Sequence, residues 1–201
     1  MSNNIIINRS FSEILSSELF FNLDNKSTFE LLLLNGADIN HSNKSGWNLL
    51  FEAVSLGLDD KIEQLISLGL NLNLRDDNGR NALFWAIYNR KFKVIRKLIE
   101  LGINRNVTDS LSAINYAVYK NDVKMIKCLK NCGLDINEFD NVKSTPLIYA
   151  VLYNKLQSID YLINNGALIS HEDELGNSAL SLAYDLKIEF LIDKFKILIK
   201  S

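Results

Sequence analysis

The strongest constraint on this chain is a glycine that recurs at Gly36, Gly69, Gly102, Gly133 and Gly166, spaced 33, 33, 31 and 33 residues apart. An alanine keeps the same phase at Ala53, Ala86, Ala117, Ala150 and Ala183, spaced 33, 31, 33 and 33. Two residue types thus share one period and one two-residue deletion. A period of this length marks stacked supersecondary units, each too small to bury its own apolar face.

Each unit has a local physical reading. Before the glycine, apolar residues fall at i, i+3 and i+4: Phe29-Leu32-Leu33, Ile62-Leu65-Ile66, Ile95-Leu98-Ile99 and Ile159-Leu162-Ile163. That spacing makes one buried helical face. It predicts helices at about 28–35, 61–68, 94–101, 125–132 and 158–165. The glycine suits a left-handed helix end, where a side chain would clash. Polar turn-forming stretches such as "ADINHSNKSG" and "LNLNLRDDNG" follow. A second short helix then carries the phased alanine. Its start is marked in register by Asn48, Asn81, Ser112, Thr145 and Ser178, side chains suited to a helix N-terminus or a turn. Pro146 is the single proline of 201 residues and follows Thr145 at such a start, where its fixed φ fits.

The pattern resembles the ankyrin repeat. "STPLIYA" (Ser144–Ala150) is similar to that family's T-P-L-H-x-A signature, and "NGADIN" (Asn35–Asn40) to its G-A-D-x-N hairpin. The resemblance implies an all-α solenoid of stacked helix-turn-helix units with hairpin loops. Five units are led by Trp47, Arg80, Leu111, Ser144 and Asn177, after a divergent N-terminal helix pair whose Ser10/Glu13 and Ser27/Glu30 spacings fit capping boxes. Residues 1–9 read as a flexible N-terminus. Residues 10–201 read as one domain with units at about 10–41, 42–74, 75–106, 107–138, 139–171 and 172–201. The family's signature histidine is replaced by Phe51, Phe84, Asn115, Ile148 and Ser181; by the resemblance this weakens a hydrogen bond that the family uses to tie neighbouring units, without changing the period. Residues 185–200 set Ile192 and Phe195 among Asp193, Lys194, Lys196 and Lys200, as a terminal unit with a polar outer face would. Unit three departs from the pattern: its hairpin reads two residues short, Ser110 replaces a glycine, and Lys130 replaces an apolar helix residue.

Composition and motifs give no sign of catalysis. Apolar residues make up 47% and charged residues 23%, with a net charge of −2, so nothing draws the whole chain to nucleic acid or anionic membrane. No charged region precedes the N-terminal isoleucines, and no apolar run is long enough to span a bilayer. The reading is therefore a cytoplasmic protein, a monomer, with no membrane or nucleic-acid partner. No phosphate-binding loop, nucleophile elbow or zinc-protease motif is present. Cys128 and Cys132 lie four apart on a helix, about 5–6 Å between Cβ atoms and too far to bridge. His41 and His171 hold equivalent positions four units apart and read as solvent-facing hairpin residues that cannot share a metal. Asp59-Asp60, Asp76-Asp77 and Glu172-Asp173-Glu174 fall in turns and read as solvated. No catalytic, cofactor or metal site is expected.

What remains is recognition by surface. The resemblance implies a concave face made of the hairpin tips and first helices. On it fall Lys44, Trp47, Leu56, Asp77, Arg80, Tyr88, Asn89, Asp109, Leu111, Tyr119, Lys120, Val142, Leu152, Tyr153, Leu175 and Asp185. Trp47, Arg80, Tyr88, Tyr119 and Tyr153 are the candidate anchors for an unknown protein partner, with Lys44, Asp77 and Leu111 beside them, because Trp, Tyr and Arg dominate binding hot spots. Trp47 stands out because a hairpin tip offers it little to pack against. The tyrosines read equally as seam covers. Trp85 and Tyr149, just before the phased alanines, read as packing residues. From Arg90 to Lys130 there are ten basic and three acidic residues, either a solvated outer face or a dock for an acidic partner. A scaffold or adaptor, a bacterial immunity or inhibitor protein against one toxin or enzyme, and a secreted effector acting on host proteins all remain open.

Overall fold

The computed structural model describes the backbone of residues 2–200 and the side chains of residues 11–200. Among the described residues there are twelve α-helices in six consecutive pairs and no strands. The first pair is α1 (Ser2–Phe21) and α2 (Lys26–Leu34). The repeated pairs are α3 (Leu49–Leu56) with α4 (Asp59–Ser67), α5 (Ala82–Tyr88) with α6 (Phe92–Glu100), and α7 (Ala113–Tyr119) with α8 (Val123–Asn131). They continue with α9 (Pro146–Leu152) and α10 (Leu156–Asn164), then α11 (Ala179–Asp185) and α12 (Glu189–Lys200). Packing groups the chain into two compact units, Met1–Asn104 and Arg105–Ser201, within the span that the sequence reads as one domain. In the first unit α3 packs on α5 and α4 on α6; in the second α7 packs on α9, α9 on α11, and α8 on α10.

Each repeat closes on the same chemistry. The first helices of all five repeated pairs are capped by Asn48, Asn81, Ser112, Thr145 or Ser178, whose side chain accepts a hydrogen bond from the backbone N–H three residues on. Pro146 is the first residue of α9, where no helical N–H is needed. The five phased alanines are fully buried, as the period requires. At the end of α4, Gly69 N–H bonds to Ile66 C=O and Leu70 N–H to Leu65 C=O, and the other repeat glycines repeat this double bond. Gly69 has φ +94°, and a Cβ there would meet nothing within 4 Å, so its backbone conformation and not crowding demands glycine.

Helices α2, α4, α6, α8 and α10 begin about two residues before the sequence pattern suggests. The first two residues of each carry no buried side chain, and Asn25 and Asp122 cap α2 and α8 from outside that pattern. The N-terminal pair departs further from its sequence reading. Asn25, not Ser27, caps α2 by accepting from Thr28 N–H, and Ser27 lies inside the helix. Ser10 lies inside α1, so it does not start a helix; its side chain falls outside those described. Helix α1 also runs back through residues 2–9, which the sequence sets apart as a flexible terminus.

The hairpins show a device that sequence reading missed. Asn43, Asp76, Asp140 and Asp173 each turn Oδ1 onto the backbone N–H groups two and four residues on, at 2.8–3.1 Å. Asp76 and Asp173 are only 6% and 7% exposed, so these turn carboxylates are structural and not solvated. Burial pushes the Asp173 carboxyl up, but hydrogen bonds from Ser144, Asn177 and Leu175 outweigh it and hold the group below the usual carboxylate range. Gly46 is required by crowding as well as by φ +71°: a Cβ there would stand 2.7 Å from Asp77 N. The third hairpin, Val107 to Leu111, has the same length as the others, and the missing two residues lie between Gly102 and Val107. That stretch lacks the turn that His41 N–H closes onto Asp38 C=O in the first unit. Val107, fully buried, replaces the Asn/Asp acceptor.

Asparagines tie successive repeats. Asn40 donates to Gly69 C=O and accepts from Asn71 N–H; Asn137 donates to Gly166 C=O and accepts from Leu168 N–H, all at 2.8–3.1 Å. Asn73 accepts from Asn104 N–H at 2.9 Å. Helix α12 has twelve residues against nine in α4, α6, α8 and α10, and its outer face is less polar than a terminal unit suggests. Phe190 is 56% and Ile197 69% exposed, while Leu191, Ile192 and Phe195 face the core.

Candidate functional site

Five of the candidate side chains lie on α5 and on the hairpins before α3 and α5 in the first unit. Trp47 is half-buried: its ring meets Trp85 edge-on at 5.0 Å and Phe51 at 5.6 Å, and its indole N–H donates to Glu52 Oε2 at 2.8 Å. This overturns the expectation that a hairpin tip leaves Trp47 little to pack against, since its partners lie four, five and thirty-eight residues along the chain. The Arg80 guanidinium lies over Trp85 at 4.4 Å while its Nε bonds to Asp76 Oδ2 at 2.7 Å. The same oxygen accepts from Trp85 Nε1 at 3.2 Å. Tyr88 ends α5, stacks on Phe84 at 6.1 Å, meets Trp85 edge-on at 5.8 Å, and remains 58% exposed. The arrangement is a row of rings whose polar edges are held by two carboxylates. Asp77 is exposed on the same hairpin, and Lys44 on the preceding one.

In the second unit Tyr119 and Tyr153 meet edge-on at 5.5 Å, and both remain about half exposed. Lysines flank this pair: Lys155 Nζ lies 5.5 Å and Lys120 Nζ 6.0 Å from the Tyr119 ring centre. Tyr149 stacks on Tyr153 and gives its hydroxyl hydrogen to Asp140 Oδ2. Burial, then that carboxylate, push the Tyr149 phenol far above its usual range, so it stays protonated as a structural donor. Leu111 is half-buried at the third hairpin, where its carbonyl accepts from Val107 and Thr108 N–H.

The basic residues of the second helices are largely exposed. Lys97 pairs with Glu63 at 3.0 Å, and that hydrogen bond raises its pKa. Lys130 donates to Asn165 Oδ1 at 2.7 Å, which accounts for a lysine in an apolar register. The histidines are not simply solvent-facing: His41 packs edge-on to Phe20 at 6.5 Å, and His171 stacks on Phe139 at 4.5 Å. Cys128 and Cys132 are not joined by a disulfide. Among the described residues no three His, Cys, Asp or Glu side chains converge as metal ligands, and no helix is long and apolar enough to cross a membrane.

Glu52, Asp76 and Trp85 were not singled out as site residues by sequence, yet they order the first cluster. A signal for Asp76 was present: an Asn or Asp stands four residues before the lead residue of every unit but the third.

The ankyrin-repeat family model, described as three copies of the repeat, matches residues 19–109 and again 114–200. A fowlpox virus (strain NVSL) protein named for its ankyrin repeats is 35% identical over 78 residues, 37% of this chain and 23% of its own length. A similarly named protein of Acanthamoeba polyphaga mimivirus is 34% identical over 62 residues, 31% of this chain and 8% of its own. The Caenorhabditis elegans poly [ADP-ribose] polymerase tankyrase is 33% identical over 55 residues, 27% of this chain and 2% of its own. The matched stretches therefore span less than a quarter of each of these relatives. With its phased glycines, capped first helices and buried alanines matched by that family model along most of its length, the chain belongs to the ankyrin-repeat family.

Proposed function

We propose that this chain is a non-catalytic interaction module that binds a partner polypeptide through the face formed by its hairpin tips and first helices. Ankyrin repeats are in general protein-interaction modules, and this reading assigns the role to particular side chains. The observation that carries it is the set of exposed rings at the ends of successive first helices. Tyr88 ends α5, Tyr119 ends α7 and Tyr153 caps α9, at 58%, 49% and 45% exposure. Each is packed on one side by another aromatic ring, so little rotamer freedom is left to lose on binding. Arg80 is likewise held in advance by Asp76 and Trp85. The exposed lysines of the second helices support a lesser role, in association rate and salt dependence.

The test starts with capture of a partner from native lysate, followed by calorimetry on folded variants. Tyr88→Ala or Tyr119→Ala is expected to weaken binding about thirtyfold or more, the scale of a hot-spot truncation. Lys93→Ala, on α6, is expected to leave affinity nearly unchanged. The opposite ranking would move the binding face to the second helices.

A further inference from the structure

A cavity of about 320 Å³ opens between the C-terminal end of α1 and the start of α3, lined by Ser17, Phe20, Phe21, His41, Trp47 and Glu52 among others. All of these belong to the first unit. The volume falls in the range of small-ligand pockets. The walls are aromatic: Phe21 is 83% exposed, Phe20 half-buried against His41, and Trp47 braced by Trp85 and Phe51. One charge lies within this lining, the Glu52 carboxylate. Its Oε2 is engaged by the Trp47 indole N–H, and it has no ion-pair partner among the described residues.

A carboxylate at the wall of an aromatic pocket, without a counterion, favours a cation over a neutral group. The surroundings agree, since residues 11–60 carry eight acidic and two basic side chains. One of those bases, Lys26, pairs with Glu30 at 3.9 Å, and the other, Lys44, is exposed on its hairpin tip. The neighbouring cavity of about 430 Å³ does not share this imbalance, because Lys26 and Lys61 line it together with Asp24, Asp59 and Asp60. Arginine suits the first pocket better than lysine. Its guanidinium is planar, stacks on aromatic faces, is weakly hydrated, and presents several N–H donors to one carboxylate.

We propose that this pocket receives an arginine side chain of the partner polypeptide, with Glu52 taking the guanidinium charge and Trp47, Phe20 and Phe21 enclosing its plane. The assignment rests on the reading of the chain as a protein-binding module, and it adds the partner's chemistry at one point of contact. Trp47 then serves twice, as a wall of the pocket and as the group that holds Glu52 in place.

The test needs no identified partner. Nα-acetyl-arginine methylamide is titrated into ¹⁵N-labelled protein while the Trp47 indole N–H resonance is followed, assigned by its loss in Trp47→Phe. A saturable shift is expected. Glu52→Gln keeps an acceptor for the indole N–H and is expected to weaken binding about tenfold or more. Glu13→Gln, an exposed carboxylate outside the pocket, is expected to change nothing. The citrulline counterpart, equal in shape but neutral, is expected not to shift the resonance. Equal shifts from the arginine and citrulline compounds, or an unchanged arginine affinity in a Glu52→Gln protein whose Trp85 resonance shows it folded, would overturn the proposal. The two readings separate cleanly once a partner is in hand. A partner weakened by Tyr88→Ala but indifferent to Glu52→Gln removes the arginine pocket and leaves the interaction module standing.

Discussion

The hairpins at Asp76 and Asp173 and the hairpin at Val107 close turns of the same length by opposite means. In the first two, a buried carboxylate gathers the backbone N–H groups of the turn, and at Asp173 it also holds the Ser144 hydroxyl of the preceding hairpin at 2.6 Å. In the third, a fully buried valine fills the position and the loop before it is two residues shorter. The same unit buries Asn115 to 1% exposure with no hydrogen-bond partner for either side-chain polar atom. Its counterpart one unit on, Ile148, is apolar. Polar groups therefore sit where their partners are in two hairpins, while the third unit has an apolar turn and an unpaired polar core. The repeat tolerates both because its period is carried by the helices and their glycines.

The largest effect should come from removing the carboxylate. Asp173→Ala leaves two backbone N–H groups and a buried hydroxyl without their acceptor, at a cost of about 4 kcal/mol in urea unfolding. Asp173→Asn keeps the Oδ1 acceptor and should lose roughly half as much. The sign of its pH dependence follows from the lowered pKa. The folded carboxyl is more acidic than the unfolded one, so its contribution is present above the unfolded pKa of about 3.9 and is lost as pH falls through the folded value. The stability gap between the native protein and Asp173→Asn should therefore narrow below about pH 4. A gap that stays constant into acid would show that the charge does not matter.

Asn115→Leu should act in the opposite direction. It removes an unpaired buried amide at little change in size and is expected to raise stability by about 1–2 kcal/mol. A loss would mean that the amide has work to do in unit three. The smallest effect concerns the first-helix ends, where Gly57, Arg90, Asn121, Asn154 and Lys187 all take positive φ. Lys187, at φ +55°, bears the steric strain that glycine avoids, and Lys187→Gly should gain about 0.5 kcal/mol after the entropy cost of glycine. An unchanged midpoint would place the strain elsewhere.

Sequence carried the period, the caps and the buried alanines because each rests on local chemistry repeated in phase. The role of Asp76 was harder to read, since an aspartate in a polar turn looks solvated until its backbone partners are in place around it. The setting of Trp47 was out of reach for a different reason. Ring contact with Trp85 joins two neighbouring repeats, and the choice of Glu52 as its acceptor depends on how α3 turns from its cap. The position of the deletion was misread because a missing pair of residues can be assigned to either side of a turn until hydrogen bonds fix the register.

The asparagine ties have a direction. Asn40, Asn73 and Asn137 each reach forward, to backbone groups of the repeat that follows. A ribosome makes the chain in that same order, so each asparagine has already been synthesised when the segment it grips emerges. A growing chain of this design can lock its repeats one after another while translation continues. In the reverse order, every newly added repeat would have to supply the grip for one already waiting.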